Sequence, residues 1–154
     1  MSTNSTIAVV HANGTVSQIY VHWDGHVDTA GKCLIENYNT LEQAEALVAL
    51  GNLSELYARL APDANEAHSF ERGADGVCVA YARDRGEEGA EAEVFGSHEE
   101  FREEARCEEY DYFFVAGQWF VREQSEFMGT VIERLGLSYV DYDYDLDTVT
   151  RGWN

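Results

Sequence analysis

Basic residues are scarce in this sequence. Of 154 residues only 10 are lysine or arginine, and the sole lysine is Lys32. A protein that grips the phosphate backbone needs a basic patch that releases counterions, so the shortage excludes direct nucleic-acid binding as the main activity. It also argues against docking on an anionic membrane surface. Long apolar runs are missing as well: no stretch reaches the roughly 18 residues that a membrane-spanning helix needs. The N-terminus, MSTNSTIAVVHANG, has neither a basic leader nor an apolar run of signal length, so no secretory signal is expected. Cysteine is limited to Cys33, Cys78 and Cys107, an odd number with no CxxC pair. That pattern points to reduced thiols in a cytoplasmic setting and to no structural zinc. Each thiol reads first as a small buried hydrophobe, with a reactive thiol at one of them as the alternative.

What is present is a full supply of core material and an excess of acid. Hydrophobic residues make up 45% of the chain and aromatics 12%, too many for a disordered segment and enough for one domain with a real core. There are 29 acids, giving a formal charge of −19. Residues 1–77 hold ten acids and three bases, whereas residues 78–154 hold nineteen and seven.

Turn and cap residues organise the chain. Asn13-Gly14 between two β-rich runs predicts a hairpin of Ile7–Val10 with Ser17–Trp23. Asp28 or Thr29 is placed to cap a helix to about Tyr38, and Thr40 with Gln43 forms a capping-box pattern for a second, closed by Gly51. Ser54 starts an expected third helix through Leu60, stopped by Pro62. Val77, Val79 and Tyr81 alternate as a strand, and Glu91–Phe95 reads as another. Ser97 caps an acidic helix with Glu100 at the capping-box position. Ala116-Gly117 predicts a second hairpin, of Tyr110–Val115 with Gln118–Arg122. A last helix is expected over Glu126–Leu135, and residues 138–154 as an acidic strand or tail. With no linker or repeat, the whole chain, 1–154, is expected to form one α+β domain: a mostly antiparallel sheet with helices packed on one face.

The acids cluster. Between Glu87 and Glu109 lie ten glutamates (Glu87, Glu88, Glu91, Glu93, Glu99, Glu100, Glu103, Glu104, Glu108 and Glu109) against two arginines. In the tail Asp141, Asp143, Asp145 and Asp147 alternate with Tyr142, Tyr144 and Leu146. On a strand such carboxylates project from one face about 6.6 Å apart, at roughly 3.3 Å per residue. Three readings compete. One is solubility or adaptation to high salt. A second is imitation of nucleic acid, in which spaced carboxylates occupy a basic groove made for phosphates. A third, a calcium loop at DYDYDLD, fails at its sixth position, Leu146, and its twelfth, Gly152, where glycine and glutamate belong.

Catalytic patterns are sparse. His22-Trp23-Asp24 at a strand end offers a His–carboxylate pair for general acid–base work, though such pairs more often lock a turn. Arg83 and Asp84 in the charged turn after Tyr81 complete an alternative pocket, with His22 and Asp24, for a small molecule or nucleotide or for weak hydrolysis. No spacing fits a metal site, and no GxGxxG, P-loop or GxSxG motif is present, so neither metal nor cofactor is expected.

The stretch Ile19-Tyr20-Val21-His22-Trp23-Asp24-Gly25-His26 resembles the I-Y-C-H-W-D-G-Y motif of a family of small acidic proteins from tailed phages, prophages and mobile elements. The similarity continues through Leu34–Tyr38, Leu50–Ser54, Val79–Glu87, Glu109–Tyr112 and Gly117–Trp119, covering roughly residues 4–122. Val21 and His26 depart from the motif's cysteine and tyrosine. The resemblance carries no settled activity. Its genomic setting implies a counter-defence role, as an anti-CRISPR or anti-restriction protein. Joined to the acidic clusters, that setting leads to the expectation of a non-enzymatic inhibitor in the host cytoplasm. Its partner would be a protein of a nucleic-acid-handling or defence complex, bound stoichiometrically, with no direct contact to nucleic acid or membrane.

Overall fold

Two left-handed turns set the sheet in place. In the computed structural model, which describes residues 2–125 and 129–134, Gly14 adopts φ +87°. The Asn13 side-chain oxygen beside it accepts the Thr15 backbone N–H at 3.0 Å and the Thr15 hydroxyl at 2.7 Å. This turn joins β1 (Ser5–Val10) to β2 (Val16–Val21) in antiparallel register, with Ile7 opposite Ile19. Ala116 at φ +51° and Gly117 at φ +80° both lie in the left-handed region, as a tight hairpin with right-handed twist requires. They join the antiparallel pair Tyr110–Val115 and Gln118–Ser125.

The other strands are short. In chain order they are β3 (Leu53–Glu55), β4 (Val79–Ala80) and β5 (Glu93–Phe95), then the hairpin strands as β6 and β7, and β8 (Gly129–Arg134). The sheet runs β4-β3-β2-β1-β6-β7-β8, with β5 attached to β2. It is mixed: β1 meets β6 in parallel and β2 meets β3 in parallel, while the remaining pairs are antiparallel. The α+β class expected from the sequence is the class observed.

Alternating side chains divide the core between the two faces of the sheet. Ile7, Val9, Ile19, Val21, Tyr112, Phe114 and Trp119 pack against the helices of the first half. These are a π-helical turn at Val27–Gly31 running into α1 (Lys32–Asn37), and α2 (Leu41–Val48). At α2 the Thr40 hydroxyl accepts the Gln43 N–H at 3.1 Å and the Gln43 side chain accepts the Thr40 N–H at 3.2 Å, the reciprocal bonds that the sequence predicts. The fully buried Trp119 donates its indole N–H to the Tyr38 carbonyl at 2.9 Å, pinning the end of α1 to the hairpin. A smaller cluster lies on the opposite face, where Ala8, Val16, Phe113 and Val115 receive Phe95 and Phe101. Phe101 is the apolar anchor of the acidic helix α4 (His98–Glu104), so this helix covers the second face.

Three expected elements take other forms. Ser54 does not open a helix: Leu53 pairs with Val21 on one side and Ala80 on the other, so sheet pairing overrides the helical spacing of Leu53, Leu56 and Leu60. The strand at Val77–Tyr81 stops at Ala80 and becomes the five-residue helix α3 (Tyr81–Arg85). The Asp84 carboxylate bonds back to the Ala80 N–H at 2.8 Å, and Gly86 at φ +68° ends the helix. The helix expected over Glu126–Leu135 is replaced at Gly129–Arg134 by β8, antiparallel to β7. Thr130, Val131 and Ile132, all β-branched, favour the extended form. Residues 138–154, including Asp141, Asp143, Asp145 and Asp147, lie outside the described residues.

Phe101 is 1% exposed and meets the rings of Phe95 and Phe113 at 5.4 and 6.0 Å. Phe101→Ala is expected to lower unfolding free energy by about 3 kcal/mol, the cost of deleting a buried aromatic side chain. Urea denaturation checks this, with an unchanged midpoint contradicting the packing of α4.

Candidate functional site

The residues around β2 explain how the acidic segments come together. One edge of β2 bonds β1, and the other is shared by two strands: β5 takes Val16–Gln18 and β3 takes Val21. Between them the Asn52 side chain stands in for a strand, its oxygen accepting the Tyr20 N–H at 2.9 Å. The Asn52 N–H in turn bonds the Ala90 carbonyl at 2.8 Å. Gly51 makes this approach feasible, because a Cβ there would sit 2.3 Å from the Ala90 oxygen. The Glu87–Glu93 segment is thereby drawn against β2. From the other side, the Gln18 amide makes two bonds to the Arg106 backbone, at 2.9 and 3.1 Å. The Arg106 guanidinium covers the Tyr20 ring at 4.2 Å from its centroid.

The result is a cleft of about 320 Å³ whose lining includes Gln18, Tyr20, Asn52, Glu91, Glu93 and Arg106. It sits where the two acidic segments converge. Glu87, Glu88, Glu91, Glu93, Glu99, Glu100, Glu103, Glu104 and Glu109 are all exposed, and Glu108 is half-buried. The acidic helix ends at Glu104, so Glu108 and Glu109 lie in the irregular segment before β6 rather than extending its face. Two arginines pair with these carboxylates, Arg85 with Glu87 at 3.0 Å and Arg106 with Glu108 at 2.6 Å.

The segment after α4 is fixed by a buried ion pair. Asp111, fully buried on β6, accepts the Thr6 hydroxyl at 2.6 Å, the Glu108 N–H at 3.0 Å and the Arg122 guanidinium at 2.9 and 3.2 Å. Sequence reading missed this pair. Its signal lay in the hairpin register, which sets Asp111 opposite Arg122.

The four residues of the alternative pocket divide into separate sets. His22 receives or donates a bond to the Tyr20 hydroxyl at 2.8 Å and meets Trp23 edge-on at 4.7 Å. Asp24 turns the chain at φ +57°. Arg83 and Asp84 belong to a network around His68. Asp84, its side chain only 5% exposed, accepts the Ala80 N–H, both Arg83 nitrogens Nε and Nη2, and a bond from His68 Nε2 at 3.1 Å. The Ala74 N–H donates to His68 Nδ1 at 2.8 Å. Nδ1 must therefore carry the lone pair and Nε2 the proton, which leaves His68 no free lone pair for general-base work. Arg83 spends further donors on the Leu60 and Cys78 carbonyls. This network closes the irregular chain between Leu60 and Val79 and offers no open cation to an anionic substrate.

A second relay joins distant elements. The Glu45 carboxylate meets His11 Nδ1 at 2.6 Å, and the Ser17 hydroxyl meets His11 Nε2 at 2.6 Å. The order carboxylate–imidazole–hydroxyl is that of a nucleophilic triad. Ser17, however, is only 7% exposed and lies in the middle of strand pairings to Val9 and Val94. The relay fastens the first hairpin to α2. Two of the thiols are unsuited to attack: burial, and then neighbouring Cys78, push the Cys33 thiol up to about 11, and burial pushes the Cys78 thiol up. Cys107 departs from the buried position expected of it: it is exposed, and its sulfur accepts a bond from Arg122 Nη2 at 2.9 Å. Among the described residues no three His, Cys, Asp or Glu side chains gather as metal ligands would, and no helix is long and apolar enough to cross a membrane.

No protein-family model, curated protein or solved structure matches this chain.

Burial pushes the Asp84 carboxyl up, but the bonds from Arg83, the Ala80 N–H and His68 outweigh it and hold the group below its ordinary value. A carboxyl depressed by folding contributes stability above its unfolded pKa, near 3.9, and loses it as pH falls through the folded value. Asp84→Asn is therefore expected to cost about 3 kcal/mol at neutral pH, as for breaking a buried pair. The gap to the wild type should narrow as the pH falls below that unfolded value. Urea unfolding at neutral and at acid pH measures it, and an equal gap at each would contradict the charge-based account.

Proposed function

We propose that this protein is a stoichiometric inhibitor that occupies the basic groove of a nucleic-acid-handling protein complex. In the setting implied by its resemblance to phage proteins, the target is a host defence complex, such as a CRISPR effector or a restriction enzyme. The observation that supports this is the convergence of two acidic segments on one side of β2. Nine of their ten glutamates are exposed. Such a surface meets a phosphate-binding groove with opposite sign, steering encounter and releasing the groove's counter-anions.

The fold supports a binding role over a hydrolytic one. The imidazole best placed beside a carboxylate, His68, has both nitrogens engaged, and the hydroxyl best placed beside an imidazole, Ser17, is buried. A shell of acid serving only solubility in concentrated salt makes a different forecast, namely a fold that weakens in dilute buffer.

The decisive measurement is target-DNA binding by purified CRISPR effectors and restriction enzymes with the protein added at equimolar concentration. The expected result is loss of DNA binding by a susceptible enzyme, with association slowing as salt rises. Reversal of Glu99, Glu100, Glu103 and Glu104 to lysine should abolish the inhibition. Inhibition that survives the reversal defeats the groove-occupying mechanism, and undisturbed DNA binding throughout defeats the inhibitor reading.

A further inference from the structure

A second surface, sharing no residue with the acidic segments, has the makings of a side-chain receptor. The chain leaves β2 through Trp23 and Asp24, and both are held by backbone. The Trp23 N–H bonds the Ser54 carbonyl at 3.1 Å, and the Asp24 carbonyl accepts the Thr29 hydroxyl at 2.7 Å. Asp24 sits at φ +57°, a conformation that side-chain-bearing residues adopt reluctantly and that recurs at functional turns. The turn displays Trp23 at 42% exposure and Val27 at 36%, and Tyr57 stands nearby at 38%. These are three of the four large hydrophobic residues exposed among the described residues.

Between Asp24 of this turn and Tyr57 lies a cleft of about 280 Å³, lined also by Thr29, Cys33, Leu56 and Ala58. Its aromatic wall is rigid: the Tyr57 N–H bonds the Cys78 sulfur at 3.3 Å and the Tyr57 carbonyl accepts the Tyr38 hydroxyl at 2.6 Å. Two carboxylates bear on that wall. Glu55 accepts the Tyr57 hydroxyl at 3.3 Å, and Asp24 lies close enough to act on the same hydroxyl electrostatically. The Asp24 carboxylate meets no basic side chain among the described residues. The nearest lysine in sequence, Lys32, leans toward Glu36.

An apolar floor, an exposed aromatic face and an uncompensated carboxylate make up the chemistry that receives a guanidinium: stacking on the ring and paired hydrogen bonds to the carboxylate. The volume falls below the roughly 300–1,000 Å³ of small-molecule sites and suits one side chain. We propose that the Trp23–Asp24 turn and Tyr57 form a docking site for an arginine side chain of a protein partner. Five of the protein's own nine arginines, Arg59, Arg83, Arg85, Arg106 and Arg122, are already ion-paired.

The test is a titration of the full ¹⁵N-labelled chain with acetyl-Gly-Arg-Gly-amide, followed by amide chemical shifts. The citrulline peptide, neutral and of the same shape, is the control. Saturable shifts at Asp24, Thr29, Cys33, Tyr57 and Ala58 are expected with arginine and not with citrulline. Asp24→Asn, which tolerates the left-handed turn, and Tyr57→Leu, which keeps the apolar bulk, should each weaken binding about tenfold. The fourfold lysine reversal on α4 should leave it unchanged. Equal shifts with citrulline, shifts confined to residues 87–109, or no shifts at the cleft would each overturn the proposal. Because the titration contains no effector, its failure is separate from that of the inhibitor reading. A chain that binds arginine at this cleft yet leaves every effector active keeps the cleft and loses the groove.

Discussion

The buried carboxylate of Asp111 is the constraint around which the second half of the chain is arranged. It is fully desolvated, and such a charge is tolerable only if its oxygens are filled. Thr6 of β1, Arg122 of β7 and the Glu108 N–H fill them. One residue thereby fastens three neighbouring strands to the segment that follows α4. That segment carries Arg106, whose backbone is clasped by Gln18 and whose guanidinium roofs Tyr20. The acidic surface is thus not a loose coat. Its route across the sheet follows from bonds made beneath it, and removing the Arg122 charge would strand Asp111 without its counterion.

Charge excess and charge placement are different properties, and only the second bears on recognition. The −19 of the chain could have been spread evenly and would serve solubility as well. Instead the exposed glutamates of residues 87–104 lie on β5, on α4 and on the loop before β5, all attached near one strand. The short β5 reaches β2 through three residue pairs, and α4 holds on through Phe101.

Local chemistry was legible in the sequence where a residue acts on its immediate neighbours. Asn13-Gly14 and Ala116-Gly117 announced both hairpins, and Thr40 with Gln43 announced α2, because turn and cap energetics depend on a few adjacent residues. Ser54 misled: it reads locally as a helix start, and only the pairing of its neighbour Leu53 with Val21, 32 positions earlier, makes the segment a strand. The acidic clusters were legible as composition, but their convergence was not, since it depends on Gly51 letting Ala90 approach and on Gln18 reaching Arg106. His68 and Asp84, 16 positions apart, and His11 and Glu45, 34 apart, carry no local signature. The grouping of His22 and Asp24 with Arg83 and Asp84 had no support beyond residue type, and the fold gives each set its own partners.

The divided outer edge of β2 also bears on motion. Its β5 partner contributes three residue pairs at one end and its β3 partner one at the other, with a single asparagine amide between. A strand held so briefly can lift away at a fraction of the cost of unfolding, while the long ladders of β1, β6 and β7 stay shut. The loop bearing Glu87–Glu93 depends on these few attachments, with the Asn52–Ala90 bond at its middle. Its amides would exchange with solvent well ahead of the central strands, and its carboxylates could adjust to a partner's contour without disturbing the core.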